Sequence, residues 1–346
     1  MYKKIIRPLL FLFDPERIHQ VVSRILKAVM AFPGMRKFAK KLYLMNDPRL
    51  ERELWGITFP NPVGMAAGFD KEGRLFNEIA ALGFGFVEIG TFTPIGQRGN
   101  SKPRLFRLKQ DEALINRMGF NNSGVDEAVE RLKKNKPKCV IGGNIGKNTN
   151  TPNENAVEDY EVAFEKLFPY VDYFVINVSC PNITDMSELQ DKDSLRQIVR
   201  KVMELNQSKV KSKPVLLKIS PDLNNSQIDD SLEIIEEYGI SGVIATNTTI
   251  TRDNLITSPA QINEIGEGGL SGKPLRDRAT EVIRYISRKT EKSLPIIGVG
   301  GIHSADDAIE KLKAGATLVQ VYTGFIYEGP GIANRINRAI LKRYSS

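Results

Sequence analysis

The chain has 346 residues, of which 41% are hydrophobic and 26% charged, a balance typical of a folded globular protein rather than a fibrous or disordered one. Its two cysteines, Cys139 and Cys180, cannot form a disulfide framework. Its two histidines, His19 and His303, have no Cys or His nearby at zinc-ligand spacing. The composition therefore predicts a protein of a reducing compartment without a transition-metal site.

The net charge of +8 lies within residues 1–46, which hold ten Lys or Arg against Asp14 and Glu16. The remaining residues carry 39 basic and 39 acidic side chains, so the body is neutral and no nucleic-acid partner is expected. The longest uninterrupted apolar stretch of the basic segment, Leu9 to Phe13, is much shorter than the roughly 20 residues of a spanning helix. A secretory signal is not expected either, because the stretch is short and no small-residue cleavage site follows it.

Residues 1–46 are predicted to form an amphipathic helical hairpin, separate from a body at 47–346. The first helix begins at Asp14-Pro15, an N-cap acid followed by proline at the first helical position. Pro33-Gly34 ends it, and a second amphipathic pattern runs from Met35 to Tyr43. Two interpretations are open. In the first, the hairpin packs its apolar faces on the body of the protein. In the second, its basic residues contact anionic lipid while its apolar side chains line an entrance for an apolar ligand.

After residue 60 the chain alternates short, continuous apolar runs with helical patterns, which is typical of parallel strands buried on both faces. There are eight such runs: Pro62–Ala67, Phe84–Gly90, Cys139–Asn144, Tyr173–Val178, Val215–Ile219, Gly242–Thr246, Ile296–Val299 and Thr317–Val321. Eight strand–helix units in about 280 residues predict an α/β fold, the (β/α)8 or TIM barrel. An open doubly wound sheet is the alternative, but no Gly-x-Gly-x-x-Gly motif follows the first run.

Two further segments are predicted near the mouth of the barrel. Lys102 to Asn122 reads as an insertion whose Arg-Leu-Phe-Arg-Leu pattern suits a hairpin strand, and Gly268 to Gly272 reads as a glycine-rich loop. The glycines after the seventh and eighth runs predict a phosphate site, because glycine lets backbone N–H groups approach an anion. Ser304 and Thr323 are candidate hydroxyl donors there, and tight turn packing is the alternative.

Side chains suited to chemistry follow the carboxyl ends of the predicted strands, where a barrel places its active site. Lys218 lies in an apolar strand, where an ammonium needs an anionic partner that a cofactor could supply. Cys180 follows the fourth run, either as a reactive thiol or as a small buried side chain before a turn; its place at a strand end favours the first. The asparagines expected on the same rim, whose amides suit a flat ring bearing C=O and N–H groups, are Asn116, Asn144, Asn177, Asn182 and Asn247.

Seven strings of this sequence are distinctive: AAGFDK (66–71), EIGTFTP (88–94), KPRLFRL (102–108), INRMGFNN (115–122), NVSCPN (177–182), GGLSGKPL (268–275) and GVGGI (298–302). They match motifs of the dihydroorotate dehydrogenases, which the chain resembles over most of its length. The N-terminal hairpin with DPERIH, together with INRMGFNN, resembles the membrane-associated, quinone-reducing class, class 2. The resemblance implies oxidation of (S)-dihydroorotate to orotate in pyrimidine biosynthesis, with flavin mononucleotide (FMN) as cofactor. It also implies a membrane quinone as acceptor and peripheral association with the cytoplasmic face of a membrane through the N-terminal helices.

The resemblance also implies roles for individual residues. Those implied to hold FMN are Ala67, Gly68, Phe69, Asp70, Lys71, Thr91, Asn144, Asn177, Lys218, Thr246, Gly272, Gly301, Tyr322 and Thr323. Those implied to bind dihydroorotate are Lys71, Asn116, Arg117, Met118, Gly119, Phe120, Asn177, Asn182, Asn247 and Thr248. Cys180 and Lys218 are the implied catalytic residues. Cys180 takes the C5 proton while hydride leaves C6, and Lys218 faces the flavin, which becomes anionic on reduction.

Position 180 departs from the pattern of the quinone-reducing class, which normally carries Ser as this base, whereas Cys marks the soluble class. A thiol ionises far more readily than a hydroxyl. The hairpin favours a quinone, and a soluble acceptor such as fumarate or an NAD-linked partner is the alternative. A non-redox phosphate-binding barrel enzyme using Lys218, or a membrane-binding module with an inert barrel, are further alternatives.

Overall fold

Residues 1–179 and 191–344 are described in this computed structural model of the protein. Their strands are β1 (Arg52–Leu54), β2 (Ile57–Phe59), β3 (Val63–Met65), β4 (Phe86–Phe92), β5 (Leu105–Leu108), β6 (Ala113–Asn116), β7 (Val140–Ile145), β8 (Tyr173–Asn177), β9 (Val215–Ile219), β10 (Gly242–Ala245), β11 (Gly269–Gly272), β12 (Ile296–Val299) and β13 (Leu318–Val321). Their α-helices are α1 (Arg7–Leu10), α2 (Pro15–Ala31), α3 (Met35–Tyr43), α4 (Phe76–Ala81), α5 (Val125–Lys134), α6 (Ala156–Leu167), α7 (Lys192–Gln207), α8 (Asn225–Tyr238), α9 (Pro259–Ile265), α10 (Arg276–Lys289), α11 (Ala305–Ala314), α12 (Thr323–Glu328) and α13 (Ile332–Tyr344).

Eight parallel strands close into a barrel, which confirms the predicted (β/α)8 fold. Their spatial order is β3-β4-β7-β8-β9-β10-β12-β13, and β13 pairs with β3. Each barrel strand overlaps one of the eight predicted apolar runs. The strands are buried on both faces, as the continuous apolar runs indicated; in β4 every residue is buried. The boundaries differ by a few residues, since β4 continues to Phe92, beyond the expected end at Gly90.

The amino-terminal end of the barrel is covered by the antiparallel hairpin β1–β2, which the sequence analysis missed. Phe59 is fully buried there, and its ring meets that of Phe86 edge-on with 5.3 Å between centroids. Trp55 donates its indole N–H to the carbonyl oxygen of Ser241 at 2.8 Å, beside the start of β10. Three-residue strands are too short to show a period-2 pattern, so this hairpin had no clear sequence signal.

A three-stranded antiparallel sheet, β5–β6–β11, lies over the opposite end. The predicted hairpin in the insertion is confirmed as β5 and β6. The expectation of a loop at Gly268 to Gly272 is wrong, because Gly269–Gly272 forms β11 against β6. Gly268 makes this pairing possible: its φ is 142°, and a Cβ there would lie 2.7 Å from the carbonyl oxygen of Asn116.

The N-terminal segment forms the predicted hairpin of α2 and α3. Asp14 caps α2 by accepting the backbone N–H of Arg17 at 2.8 Å. A buried ion pair ties α2 to the insertion before β5, since the guanidinium of Arg104 donates to both carboxylate oxygens of Glu16 at 2.7 and 3.0 Å. A second ion pair joins Arg36 on α3 to the buried Glu78 on α4 at 2.6 Å. Across the described residues, no helix has the length and hydropathy needed to cross a bilayer.

Candidate active site

Residues from the carboxyl ends of the barrel strands and from β5–β6–β11 line one cavity, here called the barrel cavity. The structure thus brings together most of the residues singled out from the sequence. Those that line the barrel cavity are Ala67, Gly68, Lys71, Thr91, Asn116, Met118, Gly119, Phe120, Asn177, Lys218, Thr246, Asn247, Thr248, Gly272, Gly301, Tyr322 and Thr323. Parallel strands in a barrel end at one rim, so residues more than 200 positions apart in the chain become neighbours there.

Four other residues implied to bind FMN or dihydroorotate do not line the barrel cavity, and Cys180 and Asn182 are outside the described residues. Phe69 and Asp70 face a second cavity, and the Asp70 carboxylate accepts the backbone N–H groups of Arg74 and Leu75, each at 2.7 Å. Burial raises the pKa of Asp70 to about 6. The two remaining candidates, Asn144 behind the cavity wall and Arg117 turned outward towards the carbonyl oxygens of Ile265 and Glu267, are not among the lining residues.

Lys218 forms a buried ion pair beneath the barrel cavity, which provides the anionic partner that its ammonium group needs. The Lys218 ammonium on β9 lies 3.2 Å from Oε1 of Glu88 on β4, a carboxylate with no exposed surface. Gln320 on β13 donates to the other carboxylate oxygen at 2.6 Å. The anionic partner expected from a cofactor is therefore already present in the chain.

The asparagines of the rim form a connected chain of side-chain hydrogen bonds. Asn144 donates to Glu88 at 2.6 Å and accepts from Asn177 at 3.1 Å. Asn177 in turn accepts from Asn247 at 3.3 Å. The hydroxyl of Thr91 donates to the same oxygen of Asn144 at 2.5 Å. Because these side chains hold one another, the amides at the cavity wall are fixed before any ligand arrives.

A second cavity of about 490 Å³, here called the hairpin cavity, lies between α1, α2 and the barrel. Its wall is mainly apolar, with Ile18, Val22, Phe69 and Phe325 among the lining residues. Arg107 fixes the α1–α2 connection by donating to the carbonyl oxygen of Phe13 at 2.9 Å. The residues shared by the two cavities, which form the partition between them, are Gly68, Lys71, Met118, Asn121 and Tyr322.

His19 on α2 lines the hairpin cavity next to that partition. Its Nε2 lies 3.2 Å from the carbonyl oxygen of Phe69, and the two rings meet edge-on with 4.8 Å between centroids. Burial, together with the positive charge of Lys71, lowers the pKa of His19 to about 4. The imidazole is therefore neutral at physiological pH and donates its Nε2 proton to the Phe69 carbonyl.

The comparisons with known proteins decide the family. A sequence model described as dihydroorotate dehydrogenase matches residues 49–344. The chain belongs to the dihydroorotate dehydrogenase family. It is 57% identical over 343 residues to a dihydroorotate dehydrogenase (quinone) of Christiangramia forsetii, covering 99% of each chain. It is 46% identical over 360 residues to the dihydroorotate dehydrogenase (quinone) of a Synechococcus species, covering 99% of this chain and 94% of the relative.

Solved structures of the family have the same architecture. The dihydroorotate dehydrogenase of Eimeria tenella in complex with ferulenol superposes with a TM-score of 0.83 at 36% identity, covering 96% of this chain and 93% of the other. The ligand-free form of that enzyme gives a TM-score of 0.84 at 35% identity, covering 96% of each chain. Because 96% of this chain is covered, the superposition includes part of the helical hairpin as well as the barrel.

The residues of the barrel cavity fit the flavin that the dihydroorotate dehydrogenase resemblance implies. Oε1 of Gln320 is a buried acceptor at the cavity wall that has no hydrogen-bond partner within the part of the chain described. Gly301 and Gly272 have positive φ, and a Cβ would come within 2.4 Å of Arg276 and 2.5 Å of Glu112, respectively. The loops therefore present bare backbone, which suits close approach of a phosphate. Ser304 does not line this cavity, because it caps α11 in a capping box with Asp307.

The sequence analysis missed several polar residues of the site. Glu88 and Gln320 lie inside apolar strands, and Ser179 and Asn121 lie next to residues that were singled out. One signal was available, because a carboxylate in Phe-Val-Glu-Ile, within a strand buried on both faces, needs a buried partner. The only buried strand lysine named from the sequence, Lys218, was the obvious candidate.

We expect the two histidines to titrate below their ordinary range, which NMR can check because the chain has no others. The His19 ring protons should titrate near pH 4 rather than near 6.5. Since the folded-state pKa lies below the unfolded value, stability falls as the pH is lowered from about 6.5 towards 4. The variant His303→Gln assigns the signals. A His19 midpoint at or above 6.5 would show that the ring is solvated and not held as described.

Proposed function

We propose that the protein oxidises dihydroorotate to orotate in the barrel cavity and delivers the electrons to a quinone in the hairpin cavity. The observation that carries the proposal is the partition shared by the barrel cavity and the hairpin cavity. Dihydroorotate and the quinone would bind in separate cavities, so electrons can pass between them only if the cavities adjoin and a redox group lies between the two substrates. The full-length similarity to relatives named as quinone-dependent supports the choice of acceptor. Dihydroorotate dehydrogenases belong to the oxidoreductases, and the reaction removes a proton from C5 and a hydride from C6.

FMN is the cofactor that the barrel cavity would hold, and when bound it would supply a two-electron acceptor for the hydride. In this proposal Gly272, Gly301 and Thr323 take the phosphate, while Lys218 and Thr91 contact the ring system. Ser271 and Thr323 support each other there, with their hydroxyl oxygens 2.8 Å apart. The positive charge of Lys218 favours negative charge on its neighbour, although Glu88 offsets part of it.

Dihydroorotate would lie over the asparagine rim. Lys71 supplies an ammonium for its carboxylate, and Asn177 and Asn247 supply amides for the pyrimidine edge. Lys71 is held at the partition by donating to Oδ1 of Asn121 at 3.0 Å. We assign the C5 proton to Cys180, which lies outside the described residues and follows directly on the described Ser179.

The N-terminal hairpin would rest on a membrane and admit the quinone. Of the 16 large apolar side chains that are exposed among the described residues, 12 lie within residues 1–42. They are Met1, Ile5, Leu9, Leu12, Phe13, Val21, Val22, Ile25, Val29, Phe32, Phe38 and Leu42. Basic residues are interspersed with them, which suits a surface of anionic phospholipid. Partition of this surface into the membrane on its cytoplasmic face would place the mouth of the hairpin cavity at the lipid.

The electron acceptor is the first point to test, because Cys180 is the residue type of the soluble class. Protein reduced anaerobically with dihydroorotate should be reoxidised at least tenfold faster by a short-chain quinone than by fumarate at equal concentration. The hairpin cavity is mainly apolar and accommodates a quinone ring better than a dianion. Faster reoxidation by fumarate, or by NAD⁺, would assign the protein to a soluble acceptor.

Cys180 as the base predicts a particular pH dependence. The variant Cys180→Ala should retain flavin but reduce it with dihydroorotate at least 100-fold more slowly, within the range usual for loss of a general base. In the wild-type protein the rate of flavin reduction should rise with pH as the thiol ionises, and it should do so at a lower pH than with a hydroxyl base. Cys180→Ser is the matched variant, and its rate should continue to rise at higher pH. A near-normal rate in Cys180→Ala would remove Cys180 from the mechanism.

Membrane association can be tested with two matched double variants. Leu12→Ser with Phe32→Ser removes apolar surface from the hairpin, where the two side chains are 76% and 66% exposed. Ile95→Ser with Ile256→Ser removes similarly exposed side chains, 74% and 68%, from the barrel. Binding to phospholipid vesicles with an anionic fraction, measured by co-sedimentation, should fall at least tenfold for the first variant only. Equal binding by both variants would place the membrane surface elsewhere.

A further inference from the structure

Glu88 is an ionised group inside the barrel whose contacts extend beyond Lys218. Its carboxylate is fully buried and accepts from Asn144 and Lys218 on Oε1, at 2.6 and 3.2 Å, and from Gln320 on Oε2 at 2.6 Å. Burying a carboxylate is costly unless donors replace the lost water, and three donors from three strands do so here. The three donors are far apart in the sequence, so they meet at the carboxylate only when the barrel is folded.

The carboxylate determines which way the neighbouring amides face. A carboxylate only accepts, so Asn144 must turn its NH₂ group towards Glu88 and its oxygen away. That oxygen then accepts the NH₂ group of Asn177, and the oxygen of Asn177 accepts the NH₂ group of Asn247. Turning any one amide over would oppose two NH₂ groups or two oxygens. The direction set by Glu88 is thus passed along all three side chains, which we call the asparagine relay.

The far end of the asparagine relay returns to Lys218. Asn247 also donates to the backbone and side-chain oxygens of Ser179, at 2.9 and 3.0 Å. The Ser179 hydroxyl donates in turn to the backbone carbonyl of Lys218 at 2.9 Å. Glu88, the asparagine relay, Ser179 and Lys218 therefore form a closed circuit. Asn177, Asn247 and Lys218 are its members that line the barrel cavity.

We propose that Glu88 is a positioning residue for dihydroorotate and a determinant of the flavin potential. Through the asparagine relay, and together with the Ser179 carbonyl at its far end, Glu88 determines which atoms of Asn177 and Asn247 are donors and which are acceptors. Those atoms in turn determine which edge of the pyrimidine the two amides match. Through the ion pair it offsets the charge of Lys218. This inference rests on the proposed function, because it assigns the barrel cavity to dihydroorotate and flavin.

The test compares Glu88→Gln with Glu78→Gln in the full-length, FMN-loaded protein. Glu78 is the matched control, since it is equally buried and paired with Arg36 but lies outside the circuit. Three quantities are measured: the dissociation constant of orotate from its perturbation of the flavin spectrum, the flavin midpoint potential, and the melting temperature. Loss of stability in both variants is the expected common effect of breaking a buried ion pair.

Only Glu88→Gln should change the site. An amide can present either its oxygen or its NH₂ group to Asn144, whereas a carboxylate can only accept, so the direction of the asparagine relay is no longer fixed. Orotate should then bind at least tenfold more weakly, as expected when buried amides lose their matching partners. The charge of Lys218, no longer offset by a carboxylate, should favour the reduced flavin and raise its midpoint potential. The expected rise is at least about 30 mV, which for two electrons corresponds to a tenfold change in the reduced-to-oxidised ratio. Glu78→Gln should leave the orotate dissociation constant within twofold of wild type and the potential unchanged.

The variant Glu88→Asp separates the effect on orotate binding from the effect on the flavin potential. It also replaces Glu88→Gln in the test if that variant does not fold. It keeps the charge but shortens the reach to Asn144, so orotate binding should weaken while the midpoint potential stays near the wild-type value. Orotate affinity within twofold of wild type in the folded Glu88 variants would overturn the inference. Failure of the proposed function is distinguishable, because wild-type protein would then show neither bleaching by dihydroorotate nor a spectral response to orotate.

Discussion

A buried ion pair between Glu88 and Lys218 holds the centre of this structure together, because it joins strands β4 and β9 across the barrel at 3.2 Å. The hydrogen bonds that make a buried carboxylate tolerable reach most of the other barrel strands. The residues that make these hydrogen bonds are Glu88 on β4, Asn144 on β7, Asn177 on β8, Lys218 on β9, Asn247 after β10 and Gln320 on β13. The fold and the site therefore depend on the same contacts, and the site is rigid because the barrel is closed.

The helical hairpin is attached by a different principle. Its links to the barrel include two ion pairs with a buried carboxylate, the bidentate contact of Arg104 with Glu16 and the contact of Arg36 with Glu78, beside a few apolar contacts such as those of Met30 and Ala39 with the core. Many of its apolar side chains remain exposed instead of entering the core. A surface helix normally buries its apolar face. Anchoring by ion pairs leaves those side chains available for lipid and for the wall of the hairpin cavity, which is the use that the proposed function makes of them.

The fold could be predicted from the sequence because its signals are local. Continuous apolar runs indicated the barrel strands, and caps such as Asp14 and Ser304 indicated where helices begin. The short hairpin β1–β2 and the glycine-rich strand β11 could not be recognised, because neither has a periodic pattern and both depend on pairing with distant residues.

The site was predictable in part for the same reason. Residues at strand ends were found because a barrel brings strand ends together. The direction in which a side chain points could not be predicted in the same way. Arg117 turns outward and Phe69 faces the hairpin cavity. Glu88 was overlooked because its importance comes from partners on other strands. Its asparagine partners were named as ligands of a ring, without the contacts that orient them.

The most direct measurement of the central claim is the absorbance of the FMN-loaded protein when dihydroorotate is added without oxygen. The account predicts that the yellow flavin bleaches to its reduced form with stoichiometric formation of orotate, and that the colour returns when a quinone is added. Protein that binds flavin but does not bleach with dihydroorotate would contradict the account, because the barrel cavity would then hold a different substrate.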